Sequence, residues 1–364
     1  MTGSRSALNQ RAQPPVVVIA GSSGLIGTQL VHALRHEYQV VGFDRDGQPQ
    51  PPKEVECVCV DVTDRASINL GLERVAYAYG RRLASFVHLA AYYDFSGEES
   101  PLYDTVTVRG TAWLLEELQR QRFEIEQFLF SSTMLVHAST EPGKAITEEA
   151  PLAGAWPYPR SKVRTERRIR ELHGAIPVVL MRIAGVYTDE GRAPAIVHQI
   201  ARIHQRSLEA YVYPGDVSHG QAYVHLDDAV EAIRLCIARR HRLGPVEAFL
   251  IGEPVTYSYD ELQQRLGNLL HGDPEWSTRK VPQPLATAGA WIQDQASILP
   301  GIDEPFIKPF MVELAGDHYE LDIGKARAEL GWEPRRRLID TLPRMVEALK
   351  RDPTAWYRRH GMAS

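Results

Sequence analysis

The chain has 364 residues, 44% of them apolar and 24% charged, with a formal net charge of −5. That length fits about two domains, or one large α/β unit with an added lobe, and the balance is globular rather than disordered. No basic excess points to nucleic acid or anionic lipid, and no apolar run reaches the length of a membrane span.

Residues 1–15 are polar, lack the apolar centre of a signal peptide, and read as a flexible arm. Val16 to Ala20 is then a continuous apolar run ending at glycine, as a buried parallel strand should. Residues 25–34 put Leu25, Ile26, Leu30, Val31 and Leu34 on one helical face. Further strands are expected at 39–43, 56–60, 85–89, 127–131 and 178–183, with helices between most of them, notably 104–121 and 161–172. Prolines in 46–53 mark a surface loop. Repeated strand–helix–strand units imply one parallel sheet covered on both faces. After Gly185 the rhythm weakens and aromatics, glycines and prolines increase, as in Tyr211-Val212-Tyr213-Pro214-Gly215. This reads as a smaller substrate-binding lobe over 186–348, with 220–252 returning in part to the main sheet and 349–364 a tail. The expected fold is therefore α/β, a Rossmann-type doubly wound parallel sheet over 16–185 with a smaller C-terminal lobe.

Cys57, Cys59 and Cys236 are odd in number and have no framework spacing, which fits a reducing, cytoplasmic address and plain core packing. The thirteen histidines show no helical HExxH pair, so no metal site is expected.

Between the first strand and helix lies Gly21-Ser22-Ser23-Gly24-Leu25-Ile26-Gly27. Glycines there allow a tight turn, close approach of a pyrophosphate to backbone, and tight helix–strand packing. The free N–H groups and dipole of the helix start favour phosphate charge. Asp44 ends the second strand and can accept ribose hydroxyls while repelling a 2′-phosphate, which favours NAD. Arg45 beside it leaves NADP open. Asp61 and Val62 are placed for the adenine, and the small residues of Leu89-Ala90-Ala91 let a flat cofactor pass close to backbone. His88 reads as a core histidine.

Tyr158 and Lys162 share one helical face at i, i+4. A lone tyrosine titrates near 10, and a nearby ammonium favours its phenolate. Lys162 can also hold nicotinamide ribose hydroxyls. Ser131, Ser132 and Thr133 end a strand about 25 residues upstream and supply a hydroxyl to orient a substrate oxygen.

In this order the motifs resemble the extended short-chain dehydrogenases/reductases, the group of nucleotide-sugar epimerases and dehydratases, dihydroflavonol-type reductases and 3β-hydroxysteroid dehydrogenases. The resemblance runs over residues 16–348 and includes Tyr223-Val224-His225-Leu226-Asp227-Asp228 and the segment 322–334. It implies Thr133 as the hydroxyl, Tyr158 as acid/base, Lys162 as electrostatic partner, and a homodimer through helices 104–121 and 161–172. The chain departs from the group at four places. Met134-Leu135 stands where sugar dehydratases carry Asp-Glu, Gly185 where nucleotide-sugar enzymes show asparagine, Gln221 where they show arginine, and Thr107 where an asparagine is common. The Thr107 change bears on a proton relay, while the others shift the expectation from a nucleotide sugar to an uncharged, partly apolar alcohol or ketone, with Tyr92, Tyr93 and Phe95 walling the cleft and Gly185 near it. The expected activity is NAD(P)-dependent interconversion of a secondary alcohol and a ketone. The alternatives are an epimerase that keeps its NAD bound and a non-catalytic NAD sensor. The stripe Leu285, Ala288, Trp291 and Ile292 is expected to be a lid or packing helix.

Overall fold

The computed structural model describes residues 14–45, 53, 55–94, 96–282, 284–288 and 309–362. Seven strands form the central sheet: β1 (Val16–Ala20), β2 (Gln39–Asp44), β3 (Glu56–Cys59), β4 (Ser85–His88), β5 (Phe128–Thr133), β6 (Val178–Ile183) and β9 (Val246–Ile251). A separate pair, β7 (Gly185–Tyr187) and β8 (Tyr223–His225), lies beside it. The strand order is β9-β6-β5-β4-β1-β2-β3 and every pairing is parallel. The chain leaves β1 toward β2 and β3, then crosses back to β4. The crevice opened by that reversal, at the carboxyl ends of β1 and β4, is where such sheets bind ligands.

The longer helices among the described residues are α1 (Leu25–Leu34), α2 (Arg65–Tyr79), α3 (Gly110–Arg120), α4 (Pro157–Leu172), α5 (Pro194–Gln205), α6 (Leu226–Ala238), α7 (Tyr259–His271), α8 (Gly324–Leu330), α9 (Leu338–Arg351) and α10 (Pro353–Arg359), with a further short turn of helix at Pro309–Glu313. Alternation along β1 fills both faces of the sheet. Val17 and Ile19 join a core with α1 and α6, while Val18 and Ala20 join one with α2 and α3. Each fully buried Leu, Ile or Val contributes about 1.5–3 kcal/mol. A third core joins Ile196 and Ile200 of α5, Leu266 of α7 and Met345 of α9.

The expected strands and helices are present, with shifted ends. β5 runs two residues further, to Thr133, and α4 starts early enough to include Tyr158. The helix expected at 104–121 opens as a π-turn over Tyr103–Arg109, where Gly110 N–H reaches Thr105 O. Gly110 is pressed against the loop after β3, since a Cβ there would lie 2.9 Å from Val62 O.

Two expectations are corrected. Residues 349–359 are no tail: they finish α9 and form α10, whose Trp356 and Tyr357 are buried in the third core. Cys57 and Cys59 are exposed rather than packed, because β3 is the sheet's edge strand. Cys236 alone is buried. The loop at 46–52, Phe95, Trp291 and Ile292 fall outside the described residues; Leu285 of the same stripe is exposed. No helix among the described residues is long and apolar enough to cross a membrane.

Candidate active site

The glycine turn is built for a close ligand. Gly21 has φ +87°, and a Cβ on it would lie 2.8 Å from Ala90 N. Its N–H donates to Phe43 O at 2.8 Å, tying the turn to β2. At Gly27 a Cβ would meet Gly21 O at 2.1 Å, so only glycine lets α1 start this close to β1. Gly24 caps α1 with no side-chain bond, which leaves the N–H groups of Leu25, Ile26 and Gly27 without helical partners. The Ser23 hydroxyl is likewise buried without a partner. Leu25 is exposed at the first turn, whereas Ile26 packs inward on the core.

Asp44 accepts the Ser23 N–H at 2.8 Å and the Arg45 N–H at 2.9 Å, which fixes its carboxylate at the end of β2 beside the turn. Asp61 accepts both the N–H and the hydroxyl of Thr63, at 2.8 and 2.7 Å. It therefore shapes the loop after β3 as well as facing the crevice. A cavity of about 430 Å³ is lined by Gly21, Gly24, Asp44, Asp61, Val62 and the run Leu89–Ala91, among others. The crevice thus brings together residues expected to hold the cofactor. An uncapped helix start, a partnerless serine hydroxyl and a carboxylate at the strand end fit a dinucleotide with an unphosphorylated ribose.

Tyr158 and Lys162 stand one turn apart on α4, which Pro157 opens at a position where the missing N–H costs nothing. Lys162 is 2% exposed and donates to Ser131 O at 2.6 Å. Its ammonium lies 4.6 Å from the Phe130 ring centre and 5.8 Å from that of Tyr158. Burial pushes it down to about 7, and the Glu166 carboxylate pulls the other way. Burial and the neighbouring Tyr93 push the Tyr158 phenol above its ordinary value, while a hydrogen bond with the Thr133 side chain lowers it. Thr133 Oγ1 also accepts the Leu135 N–H at 3.3 Å, so the hydroxyl is held at the end of β5. The structure therefore brings Thr133, Tyr158 and Lys162 together. His88 is fully buried, bonds Thr111 through Nε2 at 2.9 Å, and is pushed down to about 3 by burial and the Lys162 charge. It is a core residue, as expected. The Thr107 hydroxyl accepts the Tyr92 N–H at 3.0 Å and so positions the loop that carries Tyr93.

The Tyr93 ring meets Tyr158 edge-on, with centroids 4.8 Å apart. On the other side Trp156 lies 5.5 Å from Tyr158 and 5.6 Å from Phe310. Trp156 and Phe310 lead into a second cavity of about 260 Å³ walled also by Tyr213, Tyr223, Tyr259 and Leu262. Tyr213 and Tyr259 stack with centroids 3.8 Å apart. Sequence reasoning missed Trp156, Tyr259 and Phe310. The signal was an aromatic two residues before Tyr158; the others come from distant segments.

Gly185 and Gln221 are joined by a third residue. A Cβ on Gly185 would lie 2.8 Å from the Tyr223 ring, and Gln221 Nε2 donates to the Tyr223 hydroxyl at 2.6 Å. Tyr223 thus covers Gly185 and engages the Gln221 amide, and both Tyr223 and Gln221 line the cavity.

The sheet order and crevice define a Rossmann-type dinucleotide-binding protein. Residues 17–252 match the NAD dependent epimerase/dehydratase family, and the chain belongs to that family of enzymes, with NAD as its cofactor. Solved structures of the same fold include UDP-glucose 4-epimerase of Thermotoga maritima with UDP-glucose, 21% identical over 92% of this chain and 99% of that one, TM-score 0.66. UDP-glucuronic acid 4-epimerase of Bacillus cereus, with UDP-glucuronic acid and NAD, is 20% identical over 92% and 99%, TM-score 0.65. The dTDP-glucose 4,6-dehydratase of Bacillus anthracis, with NAD, is 21% identical over 95% and 99%, TM-score 0.65. No curated protein matches the sequence.

Proposed function

We propose that this protein interconverts a secondary alcohol and a ketone, with Tyr158 as acid/base and Thr133 and Lys162 as its partners. The observation that carries the reading is the Thr133–Tyr158 hydrogen bond beside a buried lysine, with the Tyr158 ring packed against Trp156 of the aromatic cavity. NAD bound in the crevice supplies the two-electron acceptor or donor. In the oxidative direction the Thr133 hydroxyl donates to the substrate oxygen and turns it toward Tyr158. The Tyr158 oxygen, as phenolate, takes the hydroxyl proton. The Lys162 ammonium favours that phenolate and offers its remaining N–H groups to ribose hydroxyls. In the reductive direction the Tyr158 phenol returns the proton.

The lock of Tyr223 on Gly185 and Gln221 supports a substrate other than a nucleotide sugar. Gly185 has no side chain and Gln221 carries no charge, so neither position offers a charged group to a diphosphate. Family membership favours a second reading, an epimerase that oxidises and re-reduces one substrate. The test is absorbance at 340 nm when the enzyme is mixed with NAD+, then NADP+, and a panel of cyclic and aryl secondary alcohols. Steady NADH formation matched by ketone, faster with NAD+ than with NADP+, is the expected result. Altered stereochemistry without net NADH would move the assignment to the epimerase. NAD binding with no product from alcohols or sugars would move it to a sensor.

A further inference from the structure

The cavity beyond Tyr158 has a cationic wall residue that nothing in the described protein answers. Ala195, Gln199 and Arg202 follow one another at i, i+4 and i+7 on α5, so a single stripe of that helix lines the cavity. Gln199 is held in place, its Nε2 donating to Gln263 Oε1 at 3.0 Å. Arg202 is different. Among the described residues its side chain donates no hydrogen bond and forms no ion pair, and its Nε is shut from solvent without an acceptor. A buried N–H of this kind calls for a partner, since leaving it unmet is unfavourable.

The wall chemistry narrows what that partner is. Glu209 and Asp317 also line the cavity, and neither lies within ion-pair distance of Arg202. A single guanidinium with two carboxylates on the same wall disfavours a diphosphate. A carboxylate matches the planar fork of arginine with two parallel N–H donors. The aromatic rings of Trp156, Tyr213 and Phe310 line the same cavity as Arg202, and Trp156 packs against Tyr158.

We infer that Arg202 anchors a carboxylate at the far end of the substrate, which makes the substrate a hydroxy or oxo acid with an apolar body. The inference rests on the alcohol/ketone reading of Tyr158 and extends it to a substrate class. It is tested by calorimetric titration of the full chain, saturated with NAD+, with 6-phenylhexanoate, 6-phenylhexanamide and 6-phenylhexyl phosphate. The acid should bind at least about tenfold more tightly than the amide and more tightly than the phosphate, a gain in the range of charge-assisted hydrogen bonds. Arg202→Gln should bring the acid to the level of the amide with NAD affinity unchanged. Arg202→Met, which keeps the stem on the same wall, should do the same. Equal binding of acid and amide by the wild type, preference for the phosphate, binding of none of the three, or an acid preference that survives both substitutions would overturn the assignment. The titration involves no turnover, so it stands or falls separately from alcohol oxidation.

Discussion

Neighbours decide what each titrating side chain does. At Tyr158 burial and Tyr93 oppose ionisation, so phenolate formation has to come from Thr133, Lys162 and the positive charge of oxidised NAD. Spacing made Tyr158 and Lys162 legible, and the end of an apolar strand made Thr133 so. Nothing comparable marked Glu253. It is 2% exposed, accepts the Tyr187 hydroxyl at 2.8 Å, and takes the Leu338 N–H at the start of α9. Burial raises its carboxyl to about 7, against the pull of the Leu338 N–H and the Tyr187 hydroxyl, with Asp228 adding to the rise. The folded protein therefore holds a proton that the unfolded chain releases near 4.5. That stabilisation is complete below the lower value and is lost as pH rises through about 7. Thermal unfolding from pH 5 to 8 should show wild type losing about 1–3 kcal/mol from this group. Glu253→Gln, which still accepts both hydrogen bonds, should give a flatter profile and gain relative stability at pH 8. Identical slopes for the two proteins would refute the assignment.

α4 carries both the proposed chemistry and its anchor. Tyr158, Lys162 and Glu166 recur every four residues, so one stripe of the helix faces β5 and β6. Glu166 pairs with Arg182 of β6 at 2.8 Å, both essentially solvent-free, and accepts the Ser132 hydroxyl at 2.5 Å. Arg182 also reaches His137 and the Glu148 carbonyl. This network clamps α4 to the two strands that end beside it. Glu166→Ala would leave a buried guanidinium unanswered, and urea unfolding should register a loss of about 3–5 kcal/mol. A loss below about 1 kcal/mol would show that the clamp is not needed. The helix was readable from its spacing, with Tyr158 and Lys162 on one face, and Pro157 opens it one residue before Tyr158. α10 was missed. A seven-residue helix is marginal alone, and here burial of Trp356 and Tyr357 holds it.

Across the whole molecule, legibility follows contact range. As far as Gly185 each unit is a strand and the helix that covers it, and local pattern predicts both. Beyond that point the pairs are distant in sequence: β7 with β8, Val212–Tyr213 with Arg279–Lys280, and β9 with β6. The return of β9 to the main sheet was expected, but for the other two pairs the partners decide the place and no window of the chain announces it. The aromatic cavity proposed for the substrate is assembled the same way, from Trp156, α5, the segment around Tyr213 and residues near Phe310. The dinucleotide crevice comes almost wholly from contiguous motifs, which is why NAD was readable and the substrate was not. The central claim joins the two regions at one oxygen atom, that of Tyr158. The most direct test compares wild type and Tyr158→Phe for NADH formation from an alcohol substrate, with NAD affinity measured in parallel. Turnover should fall roughly 100- to 10,000-fold with NAD affinity unchanged. Turnover within a fewfold of wild type would contradict the account.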